Sequence, residues 1–312
     1  MYGLILFVLA QILFPADVQG DEQIEFKFGH CCSIKGPYHM VAEKFKQLIA
    51  SHSNGILIAQ LFPNHQLGNE RQMIEGVSSG IIQAAVITNA PFGTFQYKMM
   101  HFDLPFVFKD RAQAHQVLDG PLGRGALKSL ETIGIKGLAF AEGGFRHIIT
   151  KQAPISHPKD FKGIRFRVME TPVYIATFRA LGADPTPIAW GNAYNALQQG
   201  IIEGLEIPIA VIYENQFYKI AKYLTLSYHT YSPLVLIANL RWFENLTPQF
   251  QTIIEKGARD SASYERNMIA KKEKLYLEKL KKEGLKIITI ENRDPWQEKV
   301  KPVYDQFDRI LE

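Results

Sequence analysis

Arg165 and Arg167 stand two residues apart in the segment GIRFRVMETP (163–172). A guanidinium matches a carboxylate well, because it presents parallel N–H donors and keeps its charge when desolvated. Ile164, Phe166 and Val168 alternate with the two arginines, the period of a strand with one face on a core. Two readings follow: a half-exposed strand whose arginines lie in water, or a strand that carries an arginine into a binding cleft.

Other reactive residue types give less. GVSSG (76–80) matches G-x-S-x-G, but a nucleophile elbow needs a strand before the serine and a helix after it, and here RQMIE is helical and IIQAAVI is the strand. GPLGRG (120–125) is a glycine cluster without the Lys-Ser/Thr of a phosphate-binding loop. The nine histidines are dispersed. Cys31 and Cys32 are adjacent, with Cα atoms ~3.8 Å apart, against the ~4.4–6.8 Å of an unstrained disulfide. HCC (30–32) is too crowded to surround one zinc. Buried thiols at a strand end are the expectation. No catalytic residue, cofactor or metal site is expected, and the chain does not read as an enzyme.

The chain has 312 residues, 46% hydrophobic and 21% charged, enough for a large core and two lobes. Net charge is +4 and the basic residues are scattered, which argues against nucleic acid as a partner. Leu4–Phe14 is an apolar run too short for a membrane helix, and Val18 and Gly20 suit signal peptidase. A signal peptide over 1–20, cleaved near Gly20, and a periplasmic location are expected, although no Lys or Arg precedes the apolar run.

Strand-like and helix-like segments then alternate: QIEFKFGH, a helix stopped by Asn54-Gly55, ILIAQLFP, a helix ending at Gly80, the apolar run IIQAAVITN, and a helix over about 111–133. The pattern restarts with IRFRVME, helices ending at Gly182 and Gly200, and IIEGLEIP. SPLVLIANLRWF reads as a returning strand. Thr247-Pro248 opens a helix running to Gly284, about 50 Å at ~1.5 Å per residue. Asp294-Pro295 starts a last short helix. This order predicts an α/β fold of two lobes with a boundary near Gly143-Gly144.

Taken together, LFPNHQLGNERQMIEGVSSG, FDLPFVFKD, KDFKGIRFRV, LGADPTPIAW and AYNALQQGIIEGLEIP resemble the DctP-type solute-binding proteins of tripartite ATP-independent periplasmic (TRAP) transporters, over roughly residues 25 to 290. The resemblance implies a two-lobed periplasmic binding protein fold, type II-like, with a central cleft and a long helix spanning both lobes. Lobe I would comprise 21–144 plus about 232–270, and lobe II 145–231 plus about 271–312. It implies a small carboxylate ligand and, as partners, the small and large membrane permease subunits. A binding protein for an ABC importer and a sensor-linked receptor are the alternative readings.

Residue by residue, the resemblance sends Arg167 into the cleft to hold the ligand carboxylate and leaves Arg165 on the surface. Arg146 matches a second basic position aimed at the ligand; its other reading is a hinge or surface arginine. Trp190 would be an aromatic wall or a core tryptophan, and Asn89 a cleft contact or a turn residue. Glu170 would bond the ligand or pair with Arg146. Two positions depart from the pattern: Ile207 where many members carry asparagine, and Asn192 where glutamate is common. With Cys31 at a position where some members are polar, Ile207 and Trp190 point toward a small carboxylate with an apolar or aromatic portion rather than a polyhydroxylated sugar acid.

Overall fold

The computed structural model describes residues 22–307, so the expected leader and its cleavage site near Gly20 lie outside the described residues. In the first half, β1 (Ile24–His30) leads to α1 (Pro37–His52), β2 (Leu57–Phe62), α2 (Glu70–Ser79) and β3 (Ala84–Thr88). Local chemistry sets the ends. Asn69 and Gln72 form a reciprocal capping box at the start of α2, and Gly80 closes it in the left-handed conformation.

The single helix expected over 111–133 is two, α3 (Arg111–Asp119) and α4 (Pro121–Ser129). Gly120 is extended between them, and Pro121 has no N–H with which to continue α3. Next come β4 (Ile135–Thr150), β5 (Arg165–Val168), α5 (Pro172–Leu181), β6 (Asp184–Pro187), α6 (Trp190–Gln198), β7 (Gly204–Pro208) and α7 (Ile209–Glu214). β8 (Tyr223–Asn239) begins well before the returning strand read from sequence at Ser232; the part missed carries Thr225, Ser227 and His229, all buried but polar. α8 (Leu240–Glu244), α9 (Pro248–Lys282), β9 (Lys286–Thr289) and α10 (Asp294–Gln306) complete the described chain.

The strands form one sheet in the order β2-β1-β3-β8-β4-β7-β5-β6, with β9 beside the first part of β8. β1, β2 and β3 are parallel to one another, as are β5, β6 and β7; β4 and β8 run antiparallel to each other between these groups. Both long strands therefore run through both halves. Their pairing shifts register between Glu142 and Gly144, where Gly144 takes φ +98°, a conformation strained for any side chain.

Buried side chains form three clusters. One runs from Phe26 to Phe145 and from Tyr231 to Ala262; a second is built from Ile149, Leu205, Ile207 and Leu224 with their neighbours; a third joins Ala90, Met100 and Leu104 of the first half to Phe161, Phe166, Phe178 and Trp296 of α10. α9 supplies Ile254, Ala258 and Ala262 to the first cluster and Ile269, Tyr276 and Leu280 to the second. It is also tied to the centre of the sheet. Glu265 accepts the Glu142 N–H at 2.9 Å, and Arg111 is shared between Glu142 and Glu273. Among the described residues, no helix is long and apolar enough to cross a membrane.

Candidate functional site

β1, β3, β5 and β7 all end at one cavity, the position at which open α/β sheets place ligands. Cys31 and Cys32 follow β1, Thr88 ends β3, Arg167 lies near the end of β5 and Met169 just beyond it, and Ile207 and Pro208 end β7. Tyr38, Glu70, Gly143, Arg146, Trp190 and Val211 complete the lining. A second chamber shares Glu70, Arg167, Met169 and Trp190 with the first and adds Glu170.

The two arginines share one strand face, and burial separates them. Arg165 is exposed, donates to the Gly200 and Ile201 carbonyls, and lies 3.6 Å from Glu203. Arg167 is 2% exposed, and its Nε donates to the Ile188 carbonyl at 2.8 Å. No described carboxylate pairs with it, so its two terminal nitrogens are left to the cavity. Burial pulls its pKa down to about 10; Glu206 opposes that shift and Arg146 adds to it. The Trp190 ring lies 6.0 Å from the guanidinium carbon, as a wall shared by both chambers.

Arg146 lines the cavity too, but its charge is already committed. Its Nε and one terminal nitrogen clasp the Glu206 carboxylate, that nitrogen also donates to the Glu206 carbonyl, and the other donates to Ser232 Oγ at 3.2 Å. Burial alone would raise the Glu206 pKa; Arg146 and His229, whose Nε2 stands 3.6 Å away, outweigh it and hold the carboxyl below its usual range. Arg146 is thus half of a buried neutral pair beside the ligand cavity. The partner suggested for it from sequence, Glu170, is exposed and faces the second chamber instead.

Asn89 is corrected outright. Its backbone turns helical (φ −59°, ψ −42°) directly after β3, which drives the side chain into the core. There Nδ2 donates to the Met99 carbonyl and to Asp103 at 2.8 and 2.9 Å, and Asn89 does not line the cavity. Its neighbour Thr88 does. Thr88 Oγ1 bonds Tyr38 Oη at 2.5 Å, and Glu70 Oε1 accepts both the Thr88 N–H and its hydroxyl. This Tyr38–Thr88–Glu70 wall was not read from the sequence. Its one local signal is Glu70 in the first turn of a capped helix; the other two residues meet it only through packing. Ile207, Val211 and Met169 give the cavity an apolar side, and Cys31 lies close to Glu70. Elsewhere, Ser78 of GVSSG donates to the Ile133 carbonyl, a structural bond.

An enclosed unpaired guanidinium, a neutralised second arginine, one polar wall and one apolar wall make a receptor for a small anion with a hydrogen-bonding group. Comparison with known proteins gives the same class. Residues 28–310 match the family model DctP, described as bacterial extracellular solute-binding protein, family 7. The 2,3-diketo-L-gulonate-binding periplasmic protein YiaO of Escherichia coli K12 is 35% identical over 263 residues, 84% of this chain and 80% of its own. A TRAP periplasmic solute-binding protein from Polaromonas sp. JS666, bound to D-erythronate, superposes with a TM-score of 0.90 at 31% identity, covering 93% of this chain and 97% of that one. A second, from Bordetella, with pantoate assigned to its density, gives 0.89 at 33% identity, covering 92% and 95%. The chain therefore belongs to the DctP family of solute-binding proteins, two-lobed transport proteins rather than enzymes.

Proposed function

We propose that this chain captures a small hydroxy acid between its lobes and delivers it to the two membrane subunits of a TRAP permease. Arg167 carries the reading: a guanidinium buried without a carboxylate partner is a standing demand for an anion. Arg167 takes the ligand carboxylate through its two free nitrogens. Glu70, Thr88 and Tyr38 meet a ligand hydroxyl, while Ile207, Val211 and Trp190 cover an apolar portion. Arg146, balanced by Glu206, shapes the wall and offers at most one remaining N–H.

The lobes are taken as 21–144 with about 232–270, and 145–231 with about 271–312; the first two buried clusters fall largely on either side of this division, and the third joins Ala90, Met100 and Leu104 to the second lobe. Closing an empty cleft buries Arg167 uncompensated, so closure waits for an anion, and the ligand shifts the equilibrium by its differential affinity for the closed form. Export through the leader at 1–20 places the protein where its named relatives are, in the periplasm.

The test is a thermal-shift screen with pantoate, D-erythronate, D-galactonate and succinate, on wild type and Arg167→Ala. At a hundred times its dissociation constant a ligand adds ~2.7 kcal/mol to stability. A hydroxy acid that raises the wild-type Tm and leaves the variant unmoved supports the reading. A response only to uncharged solutes, or an equal response in the variant, refutes it.

A further inference from the structure

Cys31 and Cys32 are free thiols with their sulfurs 3.1 Å apart, both buried and both lining the ligand cavity. Tyr38, Glu70 and Thr88 of their own half line that cavity with them, and Met169, Trp190, Ile207 and Val211 of the other half complete it. Parting the lobes opens the cavity to solvent.

We propose that Cys31 and Cys32 are a reversible redox site: when the lobes part, exchange with an external disulfide joins them into a disulfide, and this form binds ligand less well. The inference rests on the closure reading above for its link to ligand, but not for the chemistry of the pair.

The exchange balances without another reactant. One cysteine thiolate attacks the external disulfide and releases one thiol; the second cysteine then attacks the mixed disulfide and releases the other. Two cysteine thiols are oxidised, one external disulfide is reduced to two thiols, and the proton count is unchanged. The compartment of the family's periplasmic members is one in which disulfides form and persist. While the cleft is shut, burial pushes the Cys31 thiol well above its ordinary pKa, so little thiolate is present to react.

Geometry gives the effect on binding. Sulfurs now at 3.1 Å must close to ~2.05 Å. Neighbouring Cα atoms are only ~3.8 Å apart, so the peptide between them has to twist. That peptide's N–H, on Cys32, is held by His30 Nδ1 at 3.3 Å, and the Cys32 carbonyl accepts the Asn64 N–H at 3.2 Å. Forming the bond therefore displaces the wall beside Glu70 and Tyr38. The same strain makes the bond easy to reduce, hence reversible.

The probe is an uncharged aromatic disulfide, 2,2′-dithiodipyridine, on the reduced full-length protein, read by released thione and by intact mass. The expected result is two thiones per chain, a mass lower by two hydrogens, no pyridyl adduct, and recovery with dithiothreitol. Cys31→Ser and Cys32→Ser should each release one thione and keep the adduct. A lasting adduct on wild type, or no reaction short of denaturation, overturns the proposal. For the link to closure, the rate is measured with whichever acid raises the wild-type Tm. At a hundred times its dissociation constant the reaction should slow about a hundredfold, and the oxidised protein should show a smaller Tm shift with that acid than the reduced protein. The doubly Ser-substituted chain, whatever its own affinity, should give the same shift before and after oxidant. An unchanged rate with a bound acid, or equal shifts in oxidised and reduced wild type, removes the coupling. If no acid shifts the Tm, the ligand class is wrong, and the thione stoichiometry still decides the thiol pair.

Discussion

Replacing Arg167 with methionine separates ligand recognition from scaffold more sharply than any other change. Methionine keeps the length of the stem and removes the charge and the fork. Arg167 has one protein hydrogen bond, from Nε to Ile188, so its two terminal nitrogens are free for a carboxylate. Charge-assisted bonds contribute ~1.5–3 kcal/mol each, and losing two costs about 3–6 kcal/mol, or roughly two to four orders of magnitude in Kd. The same burial works against the empty protein. Burial pulls the Arg167 pKa down to about 10, so the closed, empty cleft disfavours the charged form. Arg167→Met should therefore lose binding by calorimetry, yet show a more closed solution form without ligand, read as a smaller radius of gyration. Arg165→Met, made at an exposed site bonded to two carbonyls, should leave Kd within about twofold. The reasoning fails if Arg167→Met binds within threefold of wild type, or if Arg165→Met loses as much.

Glu206→Gln should destabilise the fold by about 3–5 kcal/mol, because it leaves Arg146 buried without its counter-charge; a loss under about 1 kcal/mol in denaturant unfolding would show the pair to be dispensable. Trp190→Ala should weaken ligand binding about tenfold, since it removes the wall common to both chambers and its contact with Arg167, and an unchanged Kd would return Trp190 to a packing role. Glu214 accepts the Tyr276 hydroxyl through Oε1, while Oε2 is buried without a partner; burial pushes its pKa up to about 7. Between the ordinary carboxyl value and about 7 the folded chain holds a proton that the unfolded chain releases, so stability falls as pH rises through that window. Glu214→Gln should match wild type near pH 4 and exceed it near pH 8 by ~1–3 kcal/mol in unfolding free energy; equal curves at both pH values would contradict the assignment.

Much of the molecule was legible in the chain because it is written locally. Alternation in IRFRV and the apolar run IIQAAVITN mark strands; the stops at Gly80 and Gly182, and Thr247-Pro248, mark helix ends. Each signal acts within a turn or two of backbone, and so survives without knowledge of the partner strand. Arg167 was legible only in part: period 2 puts it on the same face as Arg165, its place nearer the carboxyl end of the strand favours it, and the family resemblance chose it for the cleft.

The rest was decided by what meets what in three dimensions. Arg146 was recognised as basic and near the cleft, but nothing local says that a glutamate 60 residues away takes its charge; the antiparallel pairing of β4 with β7 does. Tyr38 and Thr88 are 50 residues apart, and only the packing of α1 over β3 joins them into a polar wall. Asn89 and Thr88 are neighbours, yet one backbone turn sends the first into the core and leaves the second at the cavity. Sequence determined which residues were capable of holding an anion and where the elements begin and end. Tertiary structure decided which arginine remains unpaired, because the energy of a buried charge depends on the partners that register and packing bring to it, not on its neighbours in the chain.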